Sequence, residues 1–255
     1  MKYKLRPSGS SRWLSCPASL ILEETVVVEK RDDMVAAYLG SATHELLERC
    51  VKNEKLPGAF KGERIVVFDE EHQNFPYVKT VDQNMVDTIN FFLQEVGFPS
   101  ETAKVFSELE MEHSDLPELR GTADYLRVDG SHALLADLKN GSAIVQVKKR
   151  NGEINTQLLA YASMVFDQFP EVMSITLVII QPNGKTKKKV RSAVIDRQDA
   201  ADFMARAKKV AKAAGDATKD TLSVITSEGS HCWFCLAKDI CPARGRAEIN
   251  RDFKE

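Results

Sequence analysis

The segment GTADYLRVDGSHALLADLKNG, residues 121–141, holds the side chains best suited to chemistry. Asp124 lies in one apolar run, and Asp137 and Lys139 stand one residue apart at the end of the next. Residues two apart on a strand project to the same face, so Asp137 and Lys139 look one way and Leu138 the other. Leu134, Leu135 and Leu138 anchor the strand around them. An unpaired carboxylate or ammonium buried there costs roughly several kcal/mol. A divalent cation would compensate, because Mg²⁺ or Mn²⁺ is held by a few carboxylate oxygens and keeps waters for chemistry. The plainer alternative is a salt-bridged strand end, since a D-x-K tripeptide needs its context.

That context comes from the elements around it. SATHELLERCV (41–51) has a helical pattern with Leu46, Leu47, Cys50 and Val51 on one face and Ser41 as a plausible N-cap. VDQNMVDTINFFLQEVG (81–97) is an amphipathic helix stopped by Gly97 and Pro99. Strands are predicted over 104–113, 121–129 and 131–139, the last two joined by an Asp129-Gly130 turn. A helix over 154–169, a buried strand over 173–182, a partner strand over 189–196 and an Ala/Lys-rich helix over 197–217 follow. This order sets His44 on the first of these helices and Asp124 and Asp137 on neighbouring strands. Glu108, Glu110 and Glu112 alternate on the strand before; a solvated face is the plain reading, with Glu108 the candidate to reach the site.

The set His44 in GSATHELLE, Asp124 in GTAD, Asp137 and Lys139 in DLK, and Gln157 and Tyr161 in QLLAY resembles the PD-(D/E)xK nuclease superfamily, in its RecB-like branch. Gln157 and Tyr161 are four apart and share a helix face. The resemblance implies a restriction-endonuclease-like α/β core, a central mixed β-sheet flanked by helices. It also implies a catalytic set of His44, Asp124, Asp137, Lys139, Gln157 and Tyr161. The metal ligands would be His44, Asp124, Asp137 and the Leu138 carbonyl. The cation would polarise a phosphate and activate water, with Lys139 orienting that water.

Five cysteines carry a second signal. Cys232-x₂-Cys235-x₅-Cys241 at the end and Cys16 near the start can make a zinc site, with His231 as a substitute ligand, or an iron–sulfur cluster. Their distribution resembles the iron–sulfur subgroup of RecB-like nucleases, including Cas-type exonucleases of phages and prophages. That resemblance implies a [4Fe–4S] cluster on Cys16, Cys232, Cys235 and Cys241, in an appendage of residues 1–25 and 228–245 joining the two termini. Zn²⁺ at the cysteines stays open. Cys50 reads as core packing, and His72, His113 and His132 have no partners at a recognisable spacing.

The 255 residues fit one domain, with 53–100 as a helical insertion, and 43% hydrophobic residues can fill its core. A net charge of −2 excludes coating nucleic acid by bulk charge, so any DNA contact must be local. KKR (148–150) and KTKKK (185–189) are solvated turns or backbone contacts, and Arg12 and Trp13 could meet a DNA end. No groove-reading motif or P-loop is present, so the expected activity is sequence-independent, on DNA ends or single strands. A helicase or single-strand annealing protein would act as partner. No apolar run of roughly 18 residues and no signal-like start are found, so the expected compartment is the cytoplasm, the host's if phage-encoded. The expected function is a Mg²⁺/Mn²⁺-dependent deoxyribonuclease, an exonuclease in recombination or DNA processing. A restriction-type or structure-specific endonuclease and a non-catalytic DNA-binding module are the alternatives.

Overall fold

A computed structural model describes residues 3–26, 35–67, 77–217 and 225–244. His72 lies outside them, as do parts of the 53–100 segment and of the proposed appendage. Five strands form one sheet in the order β3-β4-β5-β6-β7: β3 Lys104–His113, β4 Leu116–Asp129, β5 His132–Leu138, β6 Ser174–Ile180 and β7 Val190–Asp196. Only β5 and β6 run parallel. A parallel pair needs a long crossover, and helix α5 (Thr156–Gln168) supplies it. The β4–β5 turn uses Gly130 at φ +58°, a conformation that glycine adopts without steric cost.

Helices cover both faces. α5 and α6 (Arg197–Gly215) pack one core with Leu126, Leu135 and Leu177. The N-terminal segment joins this layer through Leu5 and Trp13, the latter on α1 (Ser10–Ser15), which the short α2 (Ser19–Leu22) follows. α3 (Val35–Lys52) and α4 (Gln83–Val96) pack the opposite core through Leu46, Leu47, Ile89 and Phe92, against Tyr125, Ala136 and Leu138. A separate two-stranded sheet, β1 Arg64–Val67 with β2 Tyr77–Thr80, packs beside α3.

Two local expectations change. Ser41 does not cap a helix, because α3 begins at Val35 and the Ser41 hydroxyl donates to the Ala37 carbonyl inside it. Trp13 is 2% exposed; its indole donates to the Arg6 carbonyl at 3.0 Å and its ring meets Phe203 edge-on, so it packs and cannot stack on a DNA end.

The larger correction concerns fold class. The chain has a general α/β fold, a mixed sheet flanked by helices. The expected restriction-endonuclease-like core with an iron–sulfur appendage does not stand, because among the described residues the cysteines form no clustered ligand set. Cys16, Cys232, Cys235 and Cys241 border one cavity of about 310 Å³, and two of them bond the loop at Ser227. The Ser227 amide donates to Cys16 Sγ at 3.4 Å and Cys232 Sγ donates to the Ser227 carbonyl at 3.9 Å. Burial pushes the Cys16 thiol up and that of Cys235 to about 11. The [4Fe–4S] assignment, and zinc at the same cysteines, are therefore withdrawn.

Gly121 ties the N-terminal segment to the sheet. A Cβ there would lie 2.8 Å from two ring carbons of Pro7 and 3.3 Å from Tyr161. The pyrrolidine ring cannot rotate away, so Gly121→Ala should destabilise the protein by about 1–3 kcal/mol. A thermal melt unchanged by that substitution would contradict the packing.

Candidate metal centre

β4 pairs with β5 from Asp129↔His132 to Tyr125↔Ala136 and then diverges. β5 continues against β6 alone, through Asp137↔Ile179 and Leu138↔Ile180. The divergence leaves the Leu138 amide without a β4 carbonyl. Asp124 Oδ2 accepts it instead, at 2.7 Å. One carboxylate thus closes a gap in the sheet and stays buried, 8% exposed.

His44 and Glu108 meet the other Asp124 oxygen. His44 Nδ1 lies 3.1 Å from Asp124 Oδ1 and 3.4 Å from Glu108 Oε1. Donor atoms of His44, Glu108 and Asp124 all fall within 4.8 Å of one another, a spacing that suits ligands converging on one cation. Glu108 reaches this position through an unusual backbone. Its φ is +47°, in the left-handed region, and it sits where the β3–β4 ladder skips between Ser107↔Tyr125 and Leu109↔Ala123. Such a conformation costs about 1–3 kcal/mol in a non-glycine residue, and surrounding structure must hold it.

Asp137 and Lys139 form an adjoining cluster outside the three-donor group. Asp137 Oδ1 accepts from Lys139 Nζ at 3.0 Å and from Gln157 Nε2 at 3.2 Å, while Lys139 also donates to Gln157 Oε1 at 3.3 Å. Asp137 Oδ2 lies 2.9 Å from the ammonium but outside hydrogen-bonding alignment. Gln157 is positioned by Asn155, whose side chain accepts the Gln157 amide at the start of α5. One turn on, the Tyr161 hydroxyl is within reach of the Gln157 side chain. The structure therefore brings His44, Asp124, Asp137, Lys139, Gln157 and Tyr161 into one neighbourhood and adds Glu108 to it. Leu138 contributes its amide to Asp124, and its side chain packs against the α3/α4 layer.

Charge separates the two aspartates. Burial works against ionisation of Asp124, but His44 and then Lys139 outweigh it and hold the carboxyl below its usual range. Burial, with Asp124 adding repulsion, raises Asp137 to about 6 despite Lys139. Burial disfavours a charged His44, yet Asp124 and Glu108 raise it well above the ordinary histidine value. Lys139 goes up because Asp137 and Asp124 outweigh its desolvation. Burial also raises the Tyr161 hydroxyl, so it acts as a neutral donor at physiological pH.

Glu108 Oε1 and Asp137 Oδ2 are buried and make no aligned hydrogen bond, each instead lying beside a cationic side chain, His44 and Lys139. A divalent ion is a further partner that carboxylates of this density fit. The protein thus has a His44/Glu108/Asp124 cluster with the capacity to bind a divalent metal.

Comparison with known proteins follows this geometry. Residues 3–255 match a family described as "Protein of unknown function (DUF2800)". The chain belongs to that family. No curated protein matches. A solved structure described as "Crystal structure of SSO0001" shares 14% identity over 89% of this chain and 95% of that one, at a TM-score of 0.35. Likeness this weak bears on neither fold nor chemistry. The expected membership of the PD-(D/E)xK superfamily, in its RecB-like iron–sulfur branch, is overturned, because among the described residues the cysteines form no ligand cluster.

Other predicted contacts sort themselves. Lys149 lines a cavity near the start of α5. Arg191 is buried and donates to Gln181 Oε1 at 2.6 Å, a structural role. His132 bridges Ser174 and Thr176 at 2.8 and 2.9 Å on the neighbouring strand.

Linkage gives a sign for pH. A carboxyl raised in the folded state contributes stability below its unfolded value and loses it as pH rises through its folded value, about 6 for Asp137. Asp137→Asn cannot ionise. In chelator, its melting temperature should gain on wild type as pH rises through that value. A gap that stays constant, or narrows with rising pH in chelator, would contradict the assignment.

Proposed function

We propose that this protein is a divalent-metal-dependent nuclease that hydrolyses phosphodiester bonds of DNA, acting from ends. The observation that carries the reading is the juxtaposition of a three-donor His/Glu/Asp cluster with a second buried carboxylate and its lysine. His44, Glu108 and Asp124 would hold the cation. A metal ion in such a site supplies charge stabilisation for a phosphoryl oxygen and lowers the pKa of a coordinated water.

The chain's own residues support the rest of the reaction. Lys139 carries a positive charge beside the acids, on the side where negative charge grows on a phosphate under attack. Asp137, raised to about 6, is poised to take a proton from an attacking water near neutral pH. Gln157 fixes both by bonding Asp137 and Lys139 together, and Tyr161 orients Gln157. Nothing in this arrangement reads bases, which favours sequence-independent cleavage.

The test uses end-labelled linear DNA and closed circular DNA, each with Mn²⁺, Mg²⁺ or chelator. Linear DNA should shorten progressively with metal while circles persist. Asp124→Asn and Lys139→Met should each lower the rate by at least about 10²-fold. Nicking of circles would turn the reading to an endonuclease. Absence of any cleavage in both metals would remove the enzymatic reading and leave a DNA-binding module.

A further inference from the structure

Two cavities beside the metal centre meet at one residue. The first, about 780 Å³, is lined by Tyr161 and Thr122, which border the acid cluster, and by Lys4, Arg6 and Arg120. The second, about 590 Å³, lies near the start of α5 and is lined by Arg12, Lys149, Arg206 and Phe234. Ser8, in the turn Pro7–Gly9, lines both. The two cavities thus adjoin at the N-terminal segment, the first reaching Tyr161 and the second the turn Ser230–Phe234.

The cations in the first cavity are uncommitted. Among the described residues, the side chains of Lys4, Arg6 and Arg120 make no hydrogen bond or ion pair, and Arg120 Nε is buried without a partner. Glu112 faces Arg120 across the β3–β4 ladder, and Glu110 lines the same cavity, yet both are exposed to water and neither pairs with these cations. Three unpaired cations around one groove fit a ligand that brings its own regularly spaced negative charges. At the far end the chemistry changes. Phe234 and Trp233 are 85% and 80% exposed, and Arg12 fixes the turn by donating to the Phe234 carbonyl at 3.2 Å. Phe234 lines the second cavity and Trp233 the adjoining cysteine cavity, which shares His231 with it, and large aromatic faces of this kind are what unstacked bases use, since every base has a π-face. In an intact duplex those faces are already stacked and unavailable.

We propose that this groove is the binding track of a single strand of DNA, with phosphates on Lys4, Arg6 and Arg120 and bases stacked on Phe234 and Trp233. The inference rests on the nuclease reading for its ligand and narrows the substrate from DNA in general to a single-stranded segment. Ser8 and Thr122 offer neutral hydroxyl donors along the way, and the track leads to Tyr161, which neighbours the acids.

The test is binding in chelator, where the proposed hydrolysis is off. Trp13 is buried and Trp233 is exposed, so quenching of intrinsic fluorescence by an oligo-dT of about 20 nucleotides reports on Trp233. Anisotropy of the labelled oligonucleotide and of a blunt duplex of equal length gives affinities for every variant. Oligo-dT should bind wild type at least about tenfold more tightly than duplex and quench the tryptophan. Trp233→Ala and Phe234→Ala should each weaken oligo-dT binding about 5- to 150-fold. Arg6→Gln with Arg120→Gln should lower the salt dependence by about two phosphate contacts. Equal affinity for the duplex, or unchanged affinity in the aromatic and arginine variants, would overturn the track. Binding that follows these expectations without any Mn²⁺-dependent cleavage would sink the catalytic reading alone. Cleavage that survives with the groove variants unaffected would sink the track alone.

Discussion

The site depends on one acceptor, the Asp124 carboxylate. Where β4 leaves β5, the sheet would lose a ladder bond at Leu138, and Asp124 Oδ2 restores it from a side chain. Its second oxygen is then directed at His44, which comes from the opposite helical layer. One group therefore belongs to the sheet through one oxygen and to the cluster through the other. The fold positions the acid, and His44 and Lys139 more than meet the demand for positive charge that its burial creates.

Stability and function pull apart here. Glu108 stands in a left-handed backbone conformation, and one buried oxygen of its carboxylate makes no aligned hydrogen bond. Asp137 is desolvated beside a second carboxylate, which raises it to about 6. Each feature destabilises the metal-free chain, and each becomes favourable if a cation arrives. Strain and desolvated carboxylates at the same few residues are the pattern expected of a binding site, since a packed core has no use for either.

Much of this was legible in the residues, and for stated reasons. The expected strands over 104–113, 121–129 and 131–139 correspond to β3, β4 and β5 because apolar alternation and the Asp129-Gly130 turn are local signals. Element order set His44 on a helix and Asp124, Asp137 and Lys139 on neighbouring strands, while their convergence was expected only from the resemblance. Glu108 was the expected candidate among three alternating glutamates, and a left-handed backbone at that residue accompanies its place beside His44 and Asp124. What failed depended on distant packing. Trp13 looked available but fills the layer beneath α6. The cysteine spacing invited a cluster, yet spacing does not show whether thiols turn toward one another or toward the loop backbone.

A direct test of the metal centre is Mn²⁺ binding itself, followed by electron paramagnetic resonance or calorimetry on the whole chain. Wild type should bind the ion, and Glu108→Gln and His44→Ala should each weaken that binding by at least about tenfold while keeping the fold, as removal of a ligand or its support does elsewhere. Mn²⁺ affinity unchanged in both variants would mean that the cluster holds no cation, and the account of this site would fail with it.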